Sequence, residues 1–253
     1  VNGKDNIMEE NKFWSYRDLN VVEDAGVLIV NKPSGLLSIP DRNNEKQSVL
    51  SILRKKHENV FTIHRLDFDT SGIMLFATNE EVHRALNIQF EHRKIEKIYH
   101  AIVQGHMMKT EGSIDLKIDE DKANKGKMKI TRDGKPALSL YKVIENFKHY
   151  AYVAIDLKTG RTHQARLHMK AIGHPMAVDK DYSENEEFML SSIKHKYKEG
   201  KWTIERPLVS RCTLHAYSLK FFHPIHQQEQ THIAPLLKDM QVMLKYLREF
   251  DAK

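Results

Sequence analysis

The stretch "FTIHRLDFDTSGIMLFATN", residues Phe61 to Asn79, decides how the rest of the chain is read. Its later part, "IMLFA", is a continuous apolar run of strand length, the pattern of a strand buried on both faces. Immediately ahead of it stand His64, Arg65, Asp67 and Asp69, so a charged cluster is delivered to a strand end. A carboxylate placed as Asp67 is could serve as a nucleophile, a general base or an ion-pair partner, and on prior odds alone the ion pair wins. Asp69-Thr70-Ser71-Gly72 is turn-like, and Asp69 is expected to accept hydrogen bonds from local backbone amides.

Outward from this stretch, strands and helices alternate. Thr78 and Glu81 have the spacing of a capping box, and Val82, Ala85, Leu86 and Phe90 keep helical spacing to about Glu91. "KIYHAIV", Lys97 to Val103, is β-branched and aromatic and reads as a strand. Upstream, Val27 to Val30 form a buried strand running into the turn Lys32-Pro33-Ser34-Gly35, which leaves Lys32 at a strand end. Downstream, an alternating strand from Ala151 to Leu157 meets a Thr159-Gly160 turn. A helix from Thr162 to Gly173 follows, with Ala165, Met169 and Ile172 facing the core. "DEDKANKGKMKITRDGK", Asp119 to Lys135, reads as loops around a hairpin. From Ile233 to Phe250, residues Leu236, Met240, Met243, Leu247 and Phe250 form one apolar stripe of a helix packed on the body. No linker divides the chain, so one mixed α/β body is expected from about Leu19 to the end, with residues 1–18 as a partly ordered arm.

The composition narrows the function classes. The chain has 253 residues, 40% of them apolar and 29% charged, which suits a globular protein. Forty Lys and Arg against 34 Asp and Glu give a formal charge of +6, which favours a polyanionic partner. A single cysteine, Cys212, leaves no internal disulfide or cysteine-rich zinc site and is expected to pack as a small hydrophobe. No apolar run approaches the ~20 residues needed to span a bilayer, and a cytoplasmic protein is expected. Phosphate-loop and dinucleotide fingerprints are missing, as is H-E-x-x-H. The 15 histidines invite a metal reading through pairs such as His163 with His168 or His223 with His226, but neither pair has convincing ligand spacing, and no metal is expected.

"GRTHQARLH", Gly160 to His168, puts Arg161 and Thr162 at a helix N-terminus, where free amides and the macrodipole favour an anion. His163, Arg166 and Lys170 share a face by their spacing. That face suits a phosphate or a buried carboxylate, and a solvated basic face is an equal alternative. Between Ser183 and Arg211, Lys194, Lys196, Lys198 and Lys201 surround His195, Tyr197 and Trp202, an arrangement in which bases stack on rings while lysines meet phosphates. An exposed basic excursion explains the same residues as well.

Taken together, "VNKPSGLLSIP", "HRLDFDTSG", "KIYHAIVQG", "DGKPALSLY", "GRTHQARLHMKAIGHP", "DKDY" and "RCTLHAYSLKFFHP" stand in an order that resembles the RluA-type family of RNA pseudouridine synthases, from about Leu19 to Pro224. The resemblance implies an α+β fold with a mixed, largely antiparallel central sheet and flanking helices. It implies isomerisation of uridine to pseudouridine within RNA, with no cofactor. Asp67 matches the family's catalytic aspartate, Tyr99 its K-x-Y-x-A tyrosine with a base or ring-stacking role, and Arg166 the arginine that pairs with the aspartate. A uridine must leave its stack to reach a recessed carboxylate, and Arg65 is the candidate for occupying the vacated space or holding a phosphate. A charge partner for Asp69 is the plainer role for Arg65. Lys32, Arg161 and Lys170 are expected RNA-backbone contacts.

Departures from the family pattern add three expectations. Residues 1–18 leave no room for the S4-type RNA-binding domain that many relatives carry, so 19–253 should form one catalytic domain acting as a monomer. The insertion at about 183–211 is the expected substrate-recognition lobe. Ala165 stands where a larger aliphatic is common, a modest packing change. Ribosomal RNA of the large subunit is the first expected target and transfer RNA the second. The rival reading is a non-catalytic RNA-binding or ribosome-assembly protein on the same fold, which would not need Asp67, Tyr99 and Arg166. An aspartate glycosidase would need a second carboxyl across its substrate, and nothing in the sequence places Asp69 there.

Overall fold

The computed structural model describes residues 13–43, 45–195, 197 and 204–252. β1 (Val22–Asp24) and β2 (Val27–Lys32) form a hairpin, α1 (Val49–Leu53) follows, and β3 (Phe61–Thr62) and β4 (Ser71–Ala77) flank the charged loop. α2 (Glu80–Glu91) leads into β5 (Glu96–Gln104) and β6 (Glu111–Asp115). The short β7 (Ile118–Glu120) and β8 (Met128–Ile130) precede the long β9 (Leu138–Asn146) and β10 (Tyr150–Leu157). α3 (Gln164–Ala171), β11 (Leu214–His223), β12 (Gln228–Ile233) and α4 (Lys238–Phe250) complete the chain.

Ten strands make one sheet in the order β1-β2-β4-β11-β5-β10-β9-β6, with β3 added to β4 and β12 to β11. This is the expected α+β class with a mixed, largely antiparallel sheet. Among the described residues the only parallel pairing of two strands is β4 with β11, through His215 opposite Ser71 and Ala216 opposite Gly72. The two backbones come so close there that a Cβ on Gly72 would lie 2.2 Å from the Ala216 carbonyl oxygen, and Gly72 adopts a φ of +115°. Only glycine meets both demands.

Every residue of β4 is buried, as its apolar run requires. It shares a core with β2, α1 and the Val82 and Leu86 face of α2. Ala165 and Met169 of α3 pack on β5 and β10, while Met240, Met243, Leu244 and Leu247 of α4 cover Ile102 and Tyr152 on the sheet. Each buried Leu or Met among them contributes roughly 1.5–3 kcal/mol of transfer free energy.

Three boundaries differ from the sequence reading, each for a local reason. Asn79, not Thr78, caps α2: its side chain accepts the Val82 amide at 2.9 Å, while the Thr78 amide is already bound to the Gly26 carbonyl at 2.8 Å. α3 begins at Gln164 because His163 takes a left-handed φ of 56°. It ends in the expected glycine stop, with Gly173 at φ +87° and the His174 amide bonded to the Met169 carbonyl. α4 begins at Lys238 because Gln228–Ile233, a polar segment without apolar alternation, is drawn onto the edge of β11 as β12.

Asp119 to Lys135 does contain a hairpin, β7 with β8, in a sheet of its own. Residues 1–12 of the expected arm lie outside the described residues. Trp14 is fastened by two hydrogen bonds between its backbone and the Gln47 side chain, at 2.8 and 2.6 Å. The base of the 183–211 insertion is closed by a Phe188 to Val209 bridge that packs against α4, while Lys196, Lys198, Lys201 and Trp202 fall outside the described residues. No helix of the described residues is long and apolar enough to cross a membrane.

Candidate active site

Asp67 sits in the loop between β3 and β4, and that loop is fastened to the "NKPSGLLS" turn after β2. The Ser38 hydroxyl donates to the Leu66 carbonyl at 2.7 Å and accepts the Leu66 amide at 3.0 Å. Ser34 donates to the Asp69 carbonyl at 2.8 Å, and the Gly35 amide to the Phe68 carbonyl at 3.0 Å. Beneath both segments lies Lys32, fully buried, whose ammonium donates to the carbonyls of Pro33 (3.0 Å), Leu36 (2.7 Å) and Phe68 (3.0 Å). Burial pushes its pKa down to about 7 against the opposing pull of Asp67 and Asp69. Lys32 therefore does not meet an RNA backbone; it holds the loop that carries Asp67. Its position at a strand end was legible, its burial was not.

The Asp67 side chain, 27% exposed, lines a cavity of about 110 Å³ together with Arg65, Thr70, Tyr99, Arg161 and His163. Tyr99 comes from β5, between Ile155 of β10 and Ala216 of β11. Burial, and then the charge of Asp67, raise its pKa. The Thr70 hydroxyl is buried and finds no hydrogen-bond partner among the described residues. Ala165, the departure from the family pattern, also lies in the cavity wall, so its small side chain acts on the pocket and not on packing alone.

The expected pairing of Arg166 with Asp67 is present as an ion pair, but the hydrogen bonds of Arg166 go to other acids. The Arg166 guanidinium binds Asp179 through two hydrogen bonds, Nε to Oδ2 at 2.7 Å and Nη2 to Oδ1 at 2.6 Å, and also reaches Asp181 at 2.7 Å. Its Nη1 lies 3.7 Å from Asp67 Oδ2, and His163 Nε2 lies 3.8 Å from the same oxygen. Burial would raise the Asp179 carboxyl, whose side chain is 1% exposed, but the Arg166 bonds outweigh that and hold it below the ordinary carboxylate value. The fork geometry explains the preference: both N–H edges of a guanidinium match a carboxylate that is held in plane with it.

The remaining expected residues divide. Arg65 is exposed and lines the cavity; Arg161 lines it too, with its Nε donating to the Pro136 carbonyl at 3.1 Å. Lys170 faces away from the cavity, 5.9 Å from the Tyr182 ring, in a groove shared with the β7–β8 hairpin. Asp69 makes no side-chain bond to a backbone amide among the described residues, contrary to expectation, and burial raises its pKa. His64 is structural, accepting the Leu75 amide at 3.0 Å and stacking on Phe90. No described residue of the 183–211 insertion lines the Asp67 cavity.

Sequence reasoning put His163 on a face suited to a carboxylate but missed Gln164 and the roles of Asp179 and Tyr182. Gln164 accepts the Thr159 hydroxyl (2.7 Å) and the Arg161 amide (3.0 Å) and donates to Leu138 and Ser139 (3.0 Å each), which fixes the turn into α3. The signal for the others was the "DKDY" motif, where a buried acid and a phenol beside another acid stood unassigned. His223 and His226 do gather with Asp24, their ligand-type atoms within 4.8 Å of one another. However, His223 Nδ1 accepts the amides of Ile225 (3.2 Å) and His226 (3.1 Å), so its proton sits on Nε2 toward Asp24 and no lone pair is left there for a metal.

A recessed carboxylate beside a guanidinium and an imidazole, in a cavity lined by arginines on a mixed α+β body, defines a class of enzyme that works on a polyanion. Comparison with known proteins narrows the class. The RNA pseudouridylate synthase family model matches residues 26–171. Over 211 residues the chain is 38% identical to the dual-specificity RNA pseudouridine synthase RluA of Vibrio parahaemolyticus, covering 81% of this chain and 77% of that protein. It is 36% identical over 216 residues to the enzyme of the same name from Escherichia coli, covering 84% and 90%. With the ribosomal large subunit pseudouridine synthase D of Buchnera aphidicola it shares 35% over 230 residues, covering 88% and 72%. The solved structure of human RNA pseudouridylate synthase domain containing 4 has the same fold, with a TM-score of 0.67 at 22% identity over 90% of this chain and 92% of that one. The chain belongs to the RNA pseudouridylate synthase family, on its RluA-type branch, and is an isomerase that converts uridine to pseudouridine in RNA.

Proposed function

We propose that Asp67 is the essential catalyst and that the substrate is a uridine in structured RNA, with large-subunit ribosomal RNA ahead of transfer RNA. One observation carries the reading of Asp67. Asp179 has both oxygens committed to Arg166, whereas the Asp67 carboxylate has the Arg166 guanidinium at 3.7 Å, the His163 imidazole at 3.8 Å and no hydrogen bond to any described residue. It is electrostatically supported and chemically available. The reaction breaks N1–C1′, turns the uracil and joins C5 to C1′, and the product keeps every atom of the substrate. Attack at C1′, removal of a proton or addition to the base each use such an uncommitted carboxylate. No electron or group donor enters the balance, so none of these routes calls for a nucleotide cofactor.

The other groups take roles that follow from their surroundings. Tyr99, with its pKa raised, remains a phenol at neutral pH and acts as a ring platform and hydrogen-bond donor, not as a base. Arg166 braces the site while Asp179 and Asp181 hold it in orientation. A uridine must flip out of its stack to reach the cavity, and exposed Arg65, with Arg161, meets the phosphates or the vacated space. The orphan Thr70 hydroxyl gains a partner in the polar edge of the flipped nucleotide.

The test compares wild type with Asp67→Ala on uridine-labelled cellular RNA. The variant should fold normally by circular dichroism and form no pseudouridine; product formed by the variant would refute Asp67 as catalyst. Mapping pseudouridines in total RNA from cells with and without the gene then identifies the target, and sites lost only from transfer RNA would reverse the order of the two substrates. The basis for that order is the names of the relatives, since RluA of Escherichia coli is described as dual-specificity and synthase D of Buchnera aphidicola as acting on the ribosomal large subunit.

A further inference from the structure

We propose that His163 is a positioning residue for Asp67, held in a single tautomer by a hydrogen-bond chain that begins in the β7–β8 hairpin; the inference rests on Asp67 being the catalyst. The chain can be followed proton by proton. The Tyr182 hydroxyl accepts the backbone amide of Met128, on β8, at 2.8 Å. Its own single proton is thereby directed to its other neighbour, His163 Nδ1, at 2.6 Å. An imidazole that accepts at Nδ1 carries its proton on Nε2 when neutral. That Nε2 is the atom that stands 3.8 Å from Asp67 Oδ2. The hairpin amide thus decides, through one phenol, that His163 presents a donor and not a lone pair to the carboxylate.

Further observations fit a fixed donor. His163 occupies the left-handed region at φ 56°, a conformation a residue other than glycine keeps only when its surroundings hold it. The charged and titratable groups facing it are Asp67, Arg166, Asp181, Asp179 and Tyr182. Burial lowers its pKa against the pull of Asp67, which keeps the ring neutral. The separation of 3.8 Å is long for a hydrogen bond, as donor contacts commonly are before substrate closes a site. A neutral N–H on Oδ2 orients the carboxylate and leaves Oδ1 free toward the nucleotide.

The same hairpin steadies the other flank. Lys127 donates to the Asp181 carbonyl at 3.2 Å and lies 3.7 Å from its carboxylate, and Asp181 in turn binds Arg166. Adjacent residues, Asp181 and Tyr182, therefore tie both neighbours of Asp67 to one small sheet that is separate from the main one. The hairpin acts as a brace for the site, which its charged and glycine-bearing sequence did not disclose.

The experiment uses the full chain and two readouts. Nitrogen-detected NMR of the imidazoles should show His163 in the Nε2–H form in wild type and a mixture of tautomers in Tyr182→Phe. Single-turnover rates on the RNA substrate should fall about tenfold or more in Tyr182→Phe and in His163→Asn, the scale of a hydrogen bond to a charged group, with RNA affinity unchanged. Asparagine tolerates the left-handed backbone and reaches Tyr182 but not Asp67, whereas His163→Gln restores an N–H at the position of Nε2 and should recover most of the rate. An Nδ1–H tautomer in wild type, a wild-type rate in His163→Asn, or a glutamine variant no better than asparagine would overturn the inference. Activity surviving in Asp67→Ala would overturn the reading beneath it; an inactive Asp67→Ala with unaffected His163 variants would overturn this inference alone.

Discussion

Lys32 shows how one side chain can serve a catalytic loop without touching substrate. Its three N–H donors meet three carbonyls, two from the turn just after β2 and one from Phe68, beside Asp67. Lys32→Met leaves the Pro33 and Leu36 carbonyls without this donor in the interior, while Phe68 keeps the Gly35 amide, and should lower the unfolding free energy by about 3 kcal/mol, the scale for removing one partner of a buried charged cluster. Urea titration measures the loss, and a change under ~1 kcal/mol would mean that the ammonium is dispensable. At this scale the sequence was informative about type and poor about partner. Asp67 and Tyr99 were legible by motif and lie on one cavity. The ion pair of Arg166 with Asp67 was legible too, but the hydrogen-bonded partner of Arg166, Asp179, was not, because which carboxylate meets the fork of the guanidinium is a matter of geometry that spacing along the chain does not carry.

At the scale of elements, the strands with unbroken apolar runs and the helices with clean stripes were legible, since burial on two faces or one leaves a periodicity in the residues themselves. β12 was not, because an edge strand takes its hydrogen bonds from β11 whatever its side chains are, and "QEQTHI" shows almost only polar ones. The junction of β4 and β11 is the most demanding contact between elements. Gly72→Ala would place a methyl group 2.2 Å from the Ala216 oxygen in a backbone region that disfavours side chains. The strands must part, and the expected cost is roughly 3–5 kcal/mol, the range in which single substitutions prevent folding. Thermal unfolding tests this; an unchanged midpoint would show that the two strands can separate freely.

Across the whole molecule, buried neutral histidines couple stability to pH. His215, fully buried, sits between the Ser71 hydroxyl and the Ala234 carbonyl, and burial pushes its pKa down to about 4; His64 is lowered further, to about 3, also by burial. Both stand near ~6.5 in the unfolded chain. Between the folded and unfolded values the unfolded state binds more protons, so stability is fully present above ~6.5 and is lost as pH falls toward ~4. At pH ~5 the loss from His215 alone should be about 2 kcal/mol relative to pH ~7, with His64 acting in the same direction. Denaturant titrations at the two pH values check it, and equal stabilities would contradict the assignment.

The same Ser71 to His215 contact spans 144 residues of chain, and it lies where the loop carrying Asp67 enters the sheet. During synthesis β4 has β2 and β3 as early partners, but the wall behind the carboxylate, which includes Leu214 of β11, closes only after most of the polypeptide has been made. An enzyme that modifies RNA thus emerges from an RNA machine in a form that cannot yet act. Its activity begins only when the last strands have left the site of their own translation.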